Sequence, residues 1–134
     1  TIVVGKPTQR QIDVWNLEQQ AQNAAFAAIK IGAPCEVVDA AARAVIENHG
    51  FNKNYKLPGL PHRTGHGIGL EGHEWTNFVK GNKTPISVGM CFSDEPTISI
   101  PGEFGIRLED CLYIAEDGPH FFSKLSPSIE QPFG

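Results

Sequence analysis

The stretch "FGIRLEDCLYIAEDG", residues 104–118, carries the clearest structural pattern in the sequence. Apolar and polar side chains alternate along it, which is typical of a β-strand with one buried face. Residues 116–118, Glu-Asp-Gly, are a turn signal, and "HFFSKL", residues 120–125, follows as a returning strand. The sequence therefore predicts an antiparallel hairpin at this end of the chain.

Upstream of the hairpin, the sequence predicts one more strand and two helices. The strand covers residues 90–99, with a break or an edge at Pro96. A long helix is predicted over residues 9–31 with Thr8 as its N-cap, and a second helix over residues 35–48. Helices followed by strands indicate an α+β fold in one domain.

Composition excludes several classes of protein. The 134 residues are 40% hydrophobic and 19% charged, which suits a globular domain with its own core. A net charge of −4 without a basic cluster argues against a nucleic-acid partner. No apolar run approaches the ~18 residues needed to span a membrane. The three cysteines are odd in number and lack zinc-site spacing, so we expect a cytoplasmic protein.

The stretch "LPHRTGHGIGLEGHEW", residues 60–75, gathers three of the five histidines among several glycines. His66 is the best candidate metal ligand, because a glycine on each side permits close backbone approach and unusual dihedral angles. His62 and His73 lie four and seven residues away, so an extended loop must fold back to bring them to the same ion. We interpret both as hydrogen-bonding groups that face the substrate or support the ligands.

Two glutamates, Glu95 and Glu109, each need a positively charged partner if they are buried. Glu109 shares a strand face with Arg107, and burying a glutamate is costly unless a cation partners it. That cation is either Arg107 or a metal ion. Glu95 lies on the neighbouring predicted strand, so two carboxylates and His66 together suit Mn²⁺, Co²⁺ or Zn²⁺ better than a structural zinc. The sequence lacks HExxH and P-loop motifs, and nothing in it aims a histidine at a cysteine.

Three ordered motifs resemble those of the pita-bread metallopeptidases, the family of aminopeptidase P, Xaa-Pro dipeptidase and methionine aminopeptidase. The motifs are "HRTGHGIGLEGHE" (62–74), "VGMCFSDEP" (88–96) and "GIRLEDCLYIAEDG" (105–118), and their details favour the proline-specific branch. The resemblance implies that residues 1–134 form the C-terminal part of a catalytic domain. In that part, two helices pack on a curved antiparallel sheet.

The resemblance also implies roles for individual residues. His66 and Glu95 match ligands of one metal ion, and Glu109 matches the carboxylate that bridges two divalent ions, Mn, Co or Zn. His62 and His73 match histidines that bind substrate and stabilise the tetrahedral intermediate, and Arg107 matches an arginine near the bridging glutamate. The implied reaction is hydrolysis of an Xaa-Pro bond in a dipeptide or longer peptide by a hydroxide between the metals, with Glu95 as a possible general base.

Two features depart from the family pattern. The family's two aspartate ligands precede the segment that matches "TIVVG" (1–5), so we expect the missing N-terminal segment to supply them, with the chain being a fragment or one piece of a cleaved enzyme. Thr97 and Ser99 stand where the family usually has glycine and tyrosine. The family also implies a homodimer. The alternatives are a non-catalytic pita-bread domain that binds peptides or proteins, and a metal-free relative such as creatinase that uses histidine chemistry.

Overall fold

The computed structural model describes residues 1–133, which form two helices followed by strands in antiparallel sheets, confirming the α+β class. The helices are α1 (Gln9–Ala28) and α2 (Glu36–Asn48). The strands are β1 (Gly65–Gly67), β2 (Glu74–Phe78), β3 (Cys91–Asp94), β4 (Thr97–Ile100), β5 (Phe104–Arg107), β6 (Asp110–Ala115) and β7 (Gly118–Phe121). Within residues 1–133, neither helix is long and apolar enough to cross a bilayer.

Helix α1 begins where the sequence predicts and ends earlier. The Thr8 hydroxyl accepts from the Gln11 backbone N–H, and the Gln11 side chain accepts from the Thr8 backbone N–H, which satisfies two free donors of the first turn. The predicted end at residue 31 is wrong, because Ile29 adopts extended backbone with ψ 117° and caps the helix. Ile29 is buried and joins the core between the helices and the sheet.

The strands form two separate sheets. A five-stranded sheet has the order β2-β1-β3-β6-β7, and β4 and β5 form a two-stranded sheet. The chain changes sheet twice, so the break predicted at Pro96 is confirmed, whereas the prediction of one continuous strand from residue 104 to the turn at residues 116–118 is wrong. The first change occurs at Glu95 and Pro96, where the sequence placed a break, and the second occurs at Leu108 and Glu109. The hairpin of β6 and β7 is confirmed, although β7 ends at Phe121 rather than at residue 125.

Glycines flank His66 because β1 lies tightly between β2 and β3. A Cβ atom added at Gly65 would lie 2.0 Å from the carbonyl oxygen of Ser93, and one at Gly67 would lie 2.9 Å from the carbonyl oxygen of Glu74. No side chain larger than hydrogen fits at Gly65 without moving the backbone. The glycines therefore position the His66 strand within the sheet.

Candidate metal centre

His66 lies in β1, which is hydrogen-bonded to a strand on each side. Its backbone N–H donates to Ser93 Oγ at 3.0 Å, and its ring Nδ1 lies 2.9 Å from the carbonyl oxygen of Gly67. Because a carbonyl only accepts, this contact assigns the proton of the neutral ring to Nδ1. The remaining nitrogen, Nε2, then presents a lone pair, as in a metal-ligating histidine.

Glu95 faces that lone pair. Its side chain is buried, and Oε1 lies 3.2 Å from His66 Nε2 while Oε2 lies 3.2 Å from Arg107 Nη1. The Glu95 backbone N–H donates to the carbonyl of Thr64 at 2.8 Å, which fixes the chain where it leaves β3. A lone pair and a carboxylate oxygen at this distance repel each other unless a cation or a proton lies between them. The arrangement therefore fits a bound cation.

Glu109 completes a group of three ligand residues. One donor atom each from His66, Glu95 and Glu109 lies within 4.8 Å of the others. The pairing of Asp94 with Asp110 explains this convergence, because Glu95 and Glu109 are each one residue beyond that pair at the same end of adjacent strands. One imidazole and two carboxylates form a donor set for a divalent ion such as Mn²⁺, Co²⁺ or Zn²⁺.

The alternative of an Arg107–Glu109 ion pair is wrong. Arg107 pairs with Glu95, and Glu109 is exposed, so the argument from the cost of burial applies to Glu95 instead. Glu109 also lies between strands rather than on one continuous strand with Arg107.

A pocket of about 330 Å³ adjoins the three candidate ligands, and its lining consists of His62, Arg63, His73, Glu95 and Arg107. His73 reaches it because β2 returns alongside β1, which supplies the fold-back that the sequence required. The His73 ring is stacked at a tilt on the His66 ring, with 4.1 Å between their centroids. The structure therefore brings all six sequence-predicted site residues to one place.

His62 is held as a neutral ring. Its Nδ1 lies 2.5 Å from the carbonyl oxygen of Arg63, and Arg107 Nη2 donates to its Nε2 at 2.5 Å. Burial is the main cause that lowers the pKa of His62. The positive charges of Arg107 and Arg43 lower the pKa further, while the Arg63 carbonyl and the charge of Glu95 oppose the shift.

Sequence reasoning missed a buried ion pair that supports this loop. Arg43 Nε donates to Asp39 Oδ2 at 2.7 Å, Arg43 Nη1 donates to the carbonyl of Leu60 at 2.9 Å, and its Nη2 donates to the carbonyl of His62. Asp39 Oδ1 accepts from the backbone N–H and the hydroxyl of Thr64, at 3.1 and 2.8 Å. A signal was present, since two opposite charges four residues apart interrupt the apolar pattern of α2.

A second acidic pair lies beneath the centre. Glu18 in α1 and Asp94 in β3 are buried, and no group of residues 1–133 reaches hydrogen-bonding geometry with either carboxylate. Burial raises the pKa of both carboxyls well above their usual values, and the charge of Asp94 adds to the rise for Glu18. The backbone of Leu108 lies near enough to Glu18 to oppose that rise in part.

The remaining histidines lie outside the centre. His49 caps the end of α2, and its ring contacts the carbonyl of Val45 at 2.8 Å. His120 is half-exposed, pairs with Asp117 at 2.8 Å and stacks on Tyr113.

Comparisons with known proteins agree with the fold and the motifs. The model of metallopeptidase family M24 matches residues 1–116. An Xaa-Pro dipeptidase from Lactobacillus helveticus is 40% identical over 130 residues, which are 97% of this chain and 34% of that protein. The chain spans about a third of the length of the curated relatives it matches.

Solved structures give the same result. A prolidase from Pyrococcus furiosus matches with a TM-score of 0.82 and 35% identity, covering 92% of this chain and 35% of that one. An X-Pro aminopeptidase from Thermotoga maritima MSB8 matches with a TM-score of 0.85 and 31% identity, covering 95% of this chain and 35% of that one. These matches confirm the expected pita-bread architecture. The chain belongs to metallopeptidase family M24, on the branch that holds the Xaa-Pro dipeptidases.

Proposed function

We propose that the protein hydrolyses the peptide bond before proline in dipeptides or short oligopeptides, as a metallopeptidase of the Xaa-Pro dipeptidase or aminopeptidase P type. The observation that carries this proposal is the convergence of His66, Glu95 and Glu109 donor atoms within 4.8 Å of one another. They converge at the wall of a pocket that also holds His62, His73 and Arg107. A peptide-binding domain without catalysis has no need of that convergence.

The proposal assigns two divalent ions, Mn, Co or Zn, to the centre. His66 and Glu95 would hold one ion, Glu109 would contribute its carboxylate to both, and two aspartates from a segment outside the given sequence would complete the set. When bound, such ions polarise a carbonyl and lower the pKa of water to near neutrality. The residues 1–134 would thus form the C-terminal part of the catalytic domain.

The chain's own residues then position the substrate and move protons. Glu95 takes the proton of the attacking water as general base. Arg107 contacts Glu95 through Nη1 and His62 through Nη2, so one guanidinium orients both groups. His73 is exposed at the mouth of the pocket, where its ring can donate to the proline side of the substrate or to the developing oxyanion.

In this proposal, His62 differs from its expected role as an oxyanion donor. Its Nε2 accepts from Arg107 and its Nδ1–H donates to the Arg63 carbonyl, so neither ring nitrogen is left to donate to the oxyanion. His73 would then be the donor to the oxyanion, and bound cations would add positive charge beside it.

The test is metal analysis of the purified full-length protein, combined with hydrolysis of Ala-Pro and of Ala-Ala. We expect about two divalent ions per site and cleavage of Ala-Pro alone. Protein that binds proline peptides without metal and without cleaving them would instead support the non-catalytic pita-bread domain. Metal-free protein that turns over a small molecule would support the creatinase-like alternative.

Two further expectations accompany this function. The homodimer stays a prediction, which sedimentation of the full-length protein tests. The cytoplasmic location also stays a prediction and rests on three free cysteines, Cys35, Cys91 and Cys111.

A further inference from the structure

Thr97 contacts two groups of the substrate pocket at once. It is the first residue of β4, two positions after Glu95, and only 7% of its surface is exposed. Arg107 Nε donates to its Oγ1 at 2.6 Å, and His62 Nε2 lies 3.0 Å from the same oxygen. The hydroxyl is therefore the common neighbour of His62 and Arg107.

The small sheet fixes this position. Thr97 pairs directly with Arg107 in the β4–β5 register, so the two side chains project from the same face. The pairing of Ile98 with Ile106, both buried, anchors the next position of the ladder. Arg107 and Thr97 are thus adjacent because of backbone pairing, whether or not a ligand is bound.

The donors and acceptors assign a direction to these hydrogen bonds. Arginine only donates, so Thr97 Oγ1 accepts from Arg107 Nε and has its own proton left to give. The Arg63 carbonyl only accepts, so the proton of the neutral His62 ring lies on Nδ1. His62 Nε2 is then the acceptor for the Thr97 hydroxyl. The chain of bonds runs from Arg107 through Thr97 to His62.

We propose that Thr97 is a positioning residue, whose hydroxyl holds the His62 ring and the Arg107 guanidinium in the orientation in which Arg107 meets Glu95. This inference rests on the proposed function, because it acts through two residues of the substrate pocket. A residue without the hydroxyl leaves Arg107 Nε unpaired and leaves His62 Nε2 with the Arg107 Nη2 contact alone. The ring proton stays on Nδ1, because the Arg63 carbonyl still accepts from it, but the ring has lost one of the two donors that fix its orientation.

The experiment compares Thr97→Val, which keeps the shape and removes the hydroxyl, with Thr97→Ser, which keeps the hydroxyl. Each variant is made in the full-length protein and loaded with zinc. Long-range proton–nitrogen correlation spectra of ¹⁵N-histidine protein give the ¹⁵N chemical shift of His62 Nε2, which changes when a hydrogen bond to its lone pair is lost, and Ala-Pro hydrolysis gives kcat and KM. Thr97→Gly, the residue usual in the family at this position, replaces Thr97→Val if valine does not fold.

We expect Thr97→Val to shift the ¹⁵N resonance of His62 Nε2 and to lower kcat/KM roughly ten- to a hundredfold, the scale of a lost hydrogen bond to a charged group. Thr97→Ser should keep the wild-type Nε2 resonance and stay within about threefold of wild-type kcat/KM, with metal content equal in both. An unchanged Nε2 resonance in Thr97→Val, or equal losses in Val and Ser, would overturn the inference. Wild-type protein that does not cleave Ala-Pro would refute the proposed function instead, while the histidine spectra still test Thr97.

Discussion

His66 Nε2 and Glu95 Oε1 lie 3.2 Å apart, with the only proton of the neutral His66 ring assigned to the opposite nitrogen. Two electron-rich atoms at that separation repel each other unless a cation or a proton lies between them. The backbone holds both atoms there, since β1 and β3 are paired and Ser93 Oγ accepts from the His66 N–H. The protein thus presents a preformed cation site.

Substitution of Glu109 by alanine is expected to remove metal and activity together. Glu109 is exposed, so the fold should persist, whereas the third ligand of the centre is lost. We expect kcat/KM for Ala-Pro to fall at least about 100-fold, because mutation of a residue that only hydrogen-bonds to a metal ligand can already lower activity by that factor. Elemental analysis and a hydrolysis assay measure both effects, with Glu116→Ala in the exposed turn as the control. An active, metal-loaded Glu109→Ala variant would refute the bridging assignment.

The variant His73→Ala should separate metal binding from turnover. Its ring stacks on His66 but belongs to no group of three ligand atoms within residues 1–133, so metal content should stay at the wild-type level. The loss of one donor to the oxyanion is expected to lower kcat about 100-fold. His120→Ala, which alters a histidine on the β6–β7 hairpin, is the control. A drop in metal content of the His73 variant would show that His73 is a ligand.

Gly65→Ala should destabilise the sheet that carries His66. The added methyl group would meet the Ser93 carbonyl at 2.0 Å, and β1 and β3 must move apart to admit it. We expect the free energy of unfolding to fall by about 1–3 kcal/mol, as in other overpacked cores. Gly72→Ala is a matched control because no atom lies within 4 Å of its added Cβ. Equal urea midpoints for the two variants would contradict the close-packing explanation.

Glu18→Gln should change how stability depends on pH. Burial and the charge of Asp94 raise the pKa of Glu18 in the folded protein, so the folded state holds its proton more tightly than the unfolded state. The stabilisation is fully present below the unfolded pKa of about 4.3 and is lost as pH rises through the raised folded pKa. Urea unfolding at pH 5 and pH 8 should show a smaller loss in Glu18→Gln than in wild type.

The control for that experiment is Glu116→Gln, at an exposed position in the β6–β7 turn. It should keep the full wild-type decrease in stability between the two pH values. If Glu18→Gln keeps the same decrease as well, Glu18 does not carry the titration, and Asp94 becomes the group to test by Asp94→Asn.

The sequence predicts the helices, the β6–β7 hairpin and the identity of the convergent residues, because capping, alternation and glycine spacing are local signals. It does not predict the change of sheet at Leu108 and Glu109, since the two-residue alternation continues unchanged through it. Which strand pairs with which depends on contacts remote in sequence, such as Ser93 with Cys111.

The roles of Arg43 and Thr97 could not be predicted from the sequence for a related reason. Arg43 binds backbone carbonyls of Leu60 and His62, which carry no side-chain signature. Thr97 replaces the glycine that is usual in the family motif. This difference draws attention to the position, but the sequence does not show which groups the threonine side chain contacts. Only the β4–β5 register places its hydroxyl beside Arg107.

The two carboxylates occupy a particular place along the chain. Glu95 lies where the chain leaves the large sheet to form β4 and β5, and Glu109 lies where it returns. The two glutamates thus lie at the two ends of the β4–β5 segment, and an ion held by both would cross-link these ends. The binding free energy of the ion would add to the stability of the β4–β5 segment. Chelation should therefore lower the stability of the β4–β5 segment, which carries Thr97 and Arg107, more than that of the large sheet.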